Sequence, residues 1–114
     1  MTDCIFCRIA AGEIPADIVH DDGEILAFRD VNPQAPTHVL VIPRRHIATL
    51  LDAEAADAEL LGNLQLTAIE IARKEELDAR GFRLVTNCLE EAGQSVFHVH
   101  LHLLGGRQMG WPPG

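Results

Sequence analysis

Apolar residues fall into short runs separated by glycine, proline and aspartate, with one long exception. Cys4–Ala11 has the length of a short helix, closed by Gly12 and the Ile14-Pro15 pair. Ile18–His20 and Glu24–Arg29 are two β-like runs, and Asp21-Asp22-Gly23 between them is a hairpin-type turn signal. In Asn32-Pro33-Gln34-Ala35-Pro36 the two prolines exclude ladder pairing, so this is a loop. His38–Ile42 is rich in β-branched residues and is ended by Pro43, which predicts a strand. The exception is Asp52–Glu76. There Leu60, Leu61, Leu64, Ala68, Ile71 and Ala72 recur at helical spacing and form one apolar face. Asp52 is the expected cap of this helix, with Glu54 and Asp57 near its positive end, and Gly81 lies beyond its far end. Phe82–Thr86 and Ser95–Leu104 predict the last two strands, joined by a loop at Glu90–Gln94. The expected fold class is α+β: a five-stranded, mainly antiparallel sheet with one long helix on a face and a short N-terminal helix.

Composition narrows what such a fold can do. Residues 1–114 are expected to form a single domain, long enough to bury roughly 65% of the unfolded-chain surface. The net charge is −8, which lacks the bulk charge of a DNA, RNA or anionic-membrane binder. Aromatic residues are 4% with no tyrosine, which argues against a base-stacking surface. No nucleic acid or membrane partner is therefore expected, although one nucleotide needs only a local site. The N-terminal stretch lacks the basic start and apolar run of a signal peptide, and the apolar runs fall short of the ~20 residues of a membrane span. The expected location is the cytoplasm, where the three cysteines would be reduced thiols or metal ligands.

The chemistry concentrates in His98-Val99-His100-Leu101-His102-Leu103-Leu104. Alternation along a strand puts the three imidazoles on one face and Val99, Leu101 and Leu103 in a core. Packing alone explains three adjacent histidines poorly, because each buried imidazole needs a partner. Either the three bind one catalytic zinc, or one is a nucleophile that its neighbours orient. Spread over about 13 Å of strand, they would struggle to reach one ion. Gly93-Gln94-Ser95 just upstream favours phosphorus chemistry, since glycine lets backbone N–H groups approach an anion and serine adds a donor. Cys4-Ile5-Phe6-Cys7 is a CxxC that needs further ligands to hold zinc, and His46 and His98 are the candidates for a closed Cys2His2 site. Packing of two small apolar residues, or a redox pair, are the other readings, and the redox pair lacks its βαβ context.

The histidine stretch fits the HφHφHφφ signature of the histidine triad superfamily, where φ is apolar. Ile14-Pro15-Ala16, Leu26-Ala27-Phe28-Arg29-Asp30, Pro33-Gln34-Ala35-Pro36-Thr37-His38, Val41-Ile42-Pro43 and the tail from Gly105-Gly106-Arg107 to Trp111-Pro112-Pro113-Gly114 resemble its nucleotide-binding branch. The resemblance implies a homodimer whose two sheets join into one. It also implies binding of purine nucleoside monophosphates and hydrolysis of their phosphoramidates, such as adenosine 5′-monophosphoramidate or aminoacyl-adenylate-type compounds. His100 would attack the α-phosphorus, His102 would contact phosphate, Ser95 would sit near the leaving nitrogen and His38 would join the proton relay. Asn87 and Asp30 would hold ribose and phosphate, Gly93 and Gln94 would form a backbone cradle, and Ile14, Phe28 and Val31 would line a base pocket. Trp111 would approach the partner's site. More distant relatives carrying the CxxC bind structural zinc through positions matching Cys4, Cys7, His46 and His98, whereas some close relatives lack it. No Mg²⁺ or organic cofactor is expected, because no acidic pair or Mg²⁺ motif is present. The segment Cys88–Ala92 is more acidic and less glycine-rich than in close relatives, which bears on the leaving group. The alternative is a nucleotide- or partner-binding module with little turnover.

Overall fold

The computed structural model describes residues 3–114. Helix α1 spans Ile5–Ala10 and strands β1 and β2 span Ile18–Asp21 and Ile25–Arg29. Strand β3 is Thr37–Pro43, helix α2 is Ala58–Lys74, and strands β4 and β5 are Phe82–Val85 and Leu101–Gly105. The strands form one sheet in the order β1-β2-β3-β5-β4, and every neighbouring pair is antiparallel. The α+β class, the five strands and both helices thus match the expectation. No helix among the described residues is long and apolar enough to cross a membrane.

Period-two alternation sorts the side chains onto two faces. Ile25 and Ala27, Val39 and Val41, and Leu101 and Leu103 pack against Leu64, Ala68, Ile71 and Ala72 of α2. Each large aliphatic side chain so buried stabilises the fold by about 1.5–3 kcal/mol. The opposite face presents Leu26, Phe28, Leu40 and Ile42, and α1 covers it through Phe6. A bidentate pair, Arg29 Nη1 and Nη2 to the Glu75 carboxylate at 2.9 and 3.1 Å, ties β2 to the end of α2.

Two local expectations need correction. Asp52 does not cap the long helix, which starts six residues later at Ala58. Single 3₁₀ turns occupy Leu50–Asp52 and Ala55–Asp57 instead. Asp52 Oδ2 accepts the Thr49 N–H and Asp57 Oδ2 accepts the Glu54 N–H, so side chains satisfy the backbone turn by turn and divert it from a continuous helix. Ser95–Leu104 is not one strand, since pairing begins only at Leu101. The β3–β5 register opposes Val41 to Leu101. Its continuation would set Val99 against Pro43, which has no N–H to give. Val99 N–H turns to Ile47 O at 2.7 Å instead.

Candidate active site and metal centre

The face under α1 gathers the histidines. His38 sits on β3 beside Leu40, and Leu40 pairs across to His102 on β5. His100 stands at the entrance to β5. The alternation expected for 98–103 survives although 98–100 lie outside the ladder: Val99, Leu101 and Leu103 enter the α2 core, while His98 and His100 are buried on the other side.

Ring-nitrogen partners set the tautomers. A carbonyl oxygen can only accept, so His100 Nδ1–H donates to His98 O at 2.7 Å. Neutral His100 then carries its lone pair on Nε2. The Gln34 backbone N–H donates to His38 Nδ1 at 3.0 Å, which places the His38 proton on Nε2. That N–H faces His102 Nδ1 at 2.9 Å, with Asp30 Oδ2 at 3.5 Å from the same nitrogen. His102 accepts at Nδ1 and so keeps its own proton on Nε2. The site therefore offers one basic nitrogen, on His100, and one ring donor, on His102. Their centroids lie 4.9 Å apart, and Phe6 packs its edge on His100 at 5.0 Å.

Burial keeps all three rings uncharged at neutral pH. It is the leading cause that lowers His38 and His100 below the ordinary histidine value, with Asp30 opposing in both cases. His102 is pushed down to about 4 by burial and then by the like charge that His100 and His38 would carry.

A cleft of about 320 Å³ opens on these rings. Ile14, Phe28, Val31 and Leu40 form its apolar wall, and Asp30, Ser95, His100 and His102 supply polar groups. An apolar slot with a few convergent polar groups is the usual form of a small-molecule site. Two expected contributors are placed differently. The Gly93 and Gln94 N–H groups close their own turn onto Glu90 O and Leu89 O, at 2.9 and 3.1 Å. The Gln94 side chain braces that loop, accepting from Leu89 N–H and donating to Ala48 O and Val96 O. Asn87, beyond β4, is half-buried and is not among the residues lining the cleft. Sequence reasoning missed Phe6, which touches Phe28, His98 and His100. Its position inside the CxxC was the available signal, although Ile5 shares that position and is exposed, so only the fold decides that Phe6 is the one turned inward.

His98 faces away from the cleft chemistry. Its Nε2–H donates to Pro43 O at 2.7 Å, so Nδ1 holds the lone pair. That nitrogen lies 3.4 Å from Cys4 Sγ, 3.5 Å from Cys7 Sγ and 3.2 Å from His46 Nδ1, and Cys7 Sγ is 3.3 Å from His46 Nδ1. With metal–S of about 2.3 Å and metal–N of about 2.0–2.1 Å, a tetrahedral zinc site has S···N edges of about 3.6 Å and N···N edges of about 3.3 Å. The four ligand atoms thus fit a closed tetrahedral metal centre. Asp30, His38 and His102 also cluster, with one ligand atom of each within 4.8 Å of the others. There, however, the Gln34 N–H occupies His38 Nδ1 and keeps a proton on Nε2, which suits a proton relay and not a ligand set.

The model of the HIT domain matches residues 11–109. This chain belongs to the HIT family. A HIT family hydrolase from Legionella pneumophila shares 57% identity at a TM-score of 0.97, with 98% of this chain and 100% of that one covered. A histidine triad nucleotide-binding protein from Candida albicans shares 31% identity at a TM-score of 0.83, covering 96% of this chain and 83% of that one. A 14 kDa zinc-binding protein from Brassica juncea is 48% identical over 114 residues, 98% of this chain and 100% of its own length. In this chain the HφHφHφφ stretch turns His98 toward the Cys4, Cys7 and His46 cluster and His100 and His102 toward the cleft.

Proposed function

We propose that this HIT protein hydrolyses the P–N bond of purine nucleoside 5′-phosphoramidates such as adenosine 5′-monophosphoramidate. The observation that carries this reading is the His100 ring, fixed by Nδ1–H donation to His98 O so that its Nε2 lone pair is the free basic nitrogen beside an apolar cleft. His100 Nε2 attacks the α-phosphorus, a P–N(imidazole) bond forms, and the P–N bond to the amine breaks. The amine leaves with a proton, since an unprotonated amide nitrogen is a poor leaving group. Ser95 is the hydroxyl nearest this task by match to the family pattern. Water then cleaves the nucleotidyl-histidine, and the monophosphate is released. Splitting one hard displacement into two easier ones is what covalent catalysis contributes. The His102 Nε2–H meets a phosphate oxygen, His38 relays protons behind it, and Asp30 accepts from the ribose. Ile14, Phe28 and Val31 take the base, and no Mg²⁺ or organic cofactor takes part.

Zinc would be held by Cys4, Cys7, His46 and His98. Four protein ligands leave no open position, so its contribution is a crosslink between α1 and the sheet. Reduced thiolate ligands suit the cytoplasm. The working form is a homodimer with its sheet continued across the two copies.

A single-turnover experiment with a phosphorus-labelled adenosine phosphoramidate tests the reaction. Acid-labile, base-stable label on the protein, decaying as monophosphate appears, is the expected result. Monophosphate binding without label or turnover would make the protein a binding module.

A further inference from the structure

We propose that the turn after β5, Gly106-Arg107, is a positioning element that clamps the loop Asn32–Pro36 and so sets which ring nitrogen of His38 carries the proton; its consequence for turnover rests on the phosphoramidase reading above.

The contact that puts the His38 proton on Nε2 is the Gln34 N–H at 3.0 Å from Nδ1, with Asp30 Oδ2 a more distant second influence. The residue that gives it sits in an exposed loop with two prolines and no ladder pairing. Internal bonds shape that loop: Asn32 N–H donates to Asp30 Oδ1 at 2.8 Å and Gln34 Nε2 donates to Asn32 O at 3.1 Å. The tail holds it from outside. Arg107 Nε donates to Gln34 O at 2.9 Å, so Gln34 is bound to the tail through its carbonyl and to His38 through its amide. Beside this bond the chain presses on Pro36. Gly106 has φ +92°, and a Cβ there would lie 2.9 Å from Pro36 Cβ. Only a glycine allows both that backbone angle and that approach.

The tautomer decides the polarity of the site. With Gln34 in place the proton sits on His38 Nε2, His102 accepts at Nδ1, and His102 keeps an Nε2–H donor. If Gln34 withdraws, the His38 proton can move to Nδ1. His38 Nε2 then becomes an acceptor 2.9 Å from His102 Nδ1, and His102 must carry its proton on Nδ1 to meet it. Each ring still holds one proton, but His102 Nε2 has changed from a donor to a lone pair, which repels a phosphate oxygen. Asp30 Oδ2, 3.5 Å from His38 Nε2, favours the first arrangement and makes the effect of release partial.

Two-bond ¹H–¹⁵N correlation of histidine-labelled protein as purified, near neutral pH, reads each tautomer directly. In the unmodified chain His38 and His102 should both show the Nε2–H pattern. In Arg107→Ala, and in Gly106→Ala, their ring nitrogens should move toward values averaged between tautomers. His98 and His100, held by carbonyls, should stay unchanged. Arg107→Lys, which can still donate to Gln34 O, should retain most of the original pattern. The kcat for adenosine 5′-monophosphoramidate should fall about tenfold in Arg107→Ala. Unmoved His38 and His102 nitrogens in Arg107→Ala would overturn the proposal, as would equal movement of all four rings or an unchanged kcat. An Arg107→Ala chain that fails to fold would equally overturn it, by making Arg107 a prop of the fold. An unmodified chain without P–N hydrolysis removes the functional reading alone, since the nitrogen shifts then still decide the clamp.

Discussion

His100 and His102 lie two positions apart on one face, yet their rings are protonated on opposite nitrogens, because one meets a carbonyl and the other meets an imidazole N–H. That difference gives His100 the basic nitrogen and His102 the ring donor that the proposed reaction needs. Replacing His100 by alanine should abolish turnover while monophosphate affinity stays within about tenfold, roughly 1.4 kcal/mol. A variant that keeps a tenth of the original rate would show the nucleophile lies elsewhere; the comparison needs steady-state turnover and calorimetry on the same samples. The same rings make stability pH-dependent. Burial holds the folded His102 at about 4, and His38 is lowered for the same leading reason. An unfolded histidine titrates near 6.5. Between those values the unfolded chain takes up protons that the folded chain refuses, so stability is level above about pH 6.5 and falls as pH drops toward 4. The denaturant midpoint of the wild-type chain should therefore drop more between about pH 7 and 4.5 than that of His102→Asn. Equal drops would remove the assignment.

At the scale of elements, the α1 face and the α2 face are secured by different means. Helix α2 buries four side chains against the sheet, whereas α1 is six residues long and buries Phe6 alone. A helix that short is marginal without a tether, and a metal held by Cys4, Cys7, His46 and His98 would provide one. One zinc per chain by elemental analysis is the expected content. Cys4→Ser with Cys7→Ser should remove it and lower the melting temperature while leaving histidine labelling in place. No metal in the purified chain, together with an unchanged melting temperature in the double variant, would return the cysteines to simple packing. On the other face, β5 approaches Leu77 just after α2 so closely that a Cβ on Gly105 would lie 2.5 Å from Leu77 Cδ1. Leu77 is 4% exposed and has little room to yield. Gly105→Ala should cost about 1–3 kcal/mol by overpacking, checked by urea denaturation; a neutral result would mean that Leu77 repacks freely.

For the whole molecule, the sheet ends in β1 and β4, and each is an edge strand with an unpaired ladder side. Edges of this kind are usually covered or paired. A groove lined by Leu50, Leu61, Leu64, Val99 and Leu101 runs between α2 and the β4–β5 side. Pairing through this side would cover both features in one symmetric contact. Light scattering at micromolar concentration should give twice the 12.5 kDa of one chain; a value near 12.5 kDa would count against the dimer.

Much of the candidate site was visible in the chain because its signals are local. The HφHφHφφ alternation depends only on strand geometry, and it holds from Val99 to Leu103 even where the ladder has stopped. The CxxC spacing depends only on one turn of helix, and the apolar period of Leu60–Ala72 on the helix repeat. Element ends were less legible. Whether Asp52 caps a helix or closes a 3₁₀ turn is a contest among side-chain and backbone partners a few residues apart, and composition does not rank them. The division of the three histidines between two sites was open in the sequence until the family resemblance suggested it, because it rests on non-local partners. Pro43 O takes the His98 proton, the Gln34 N–H takes the His38 lone pair, and the Cys4 and Cys7 thiols reach His98 across 94 and 91 residues of chain. Residue type determined that the chain carries imidazoles and thiols on suitable faces. Tertiary structure alone decided which nitrogen of each ring is basic, since a tautomer is chosen by whatever polar group the fold brings against it.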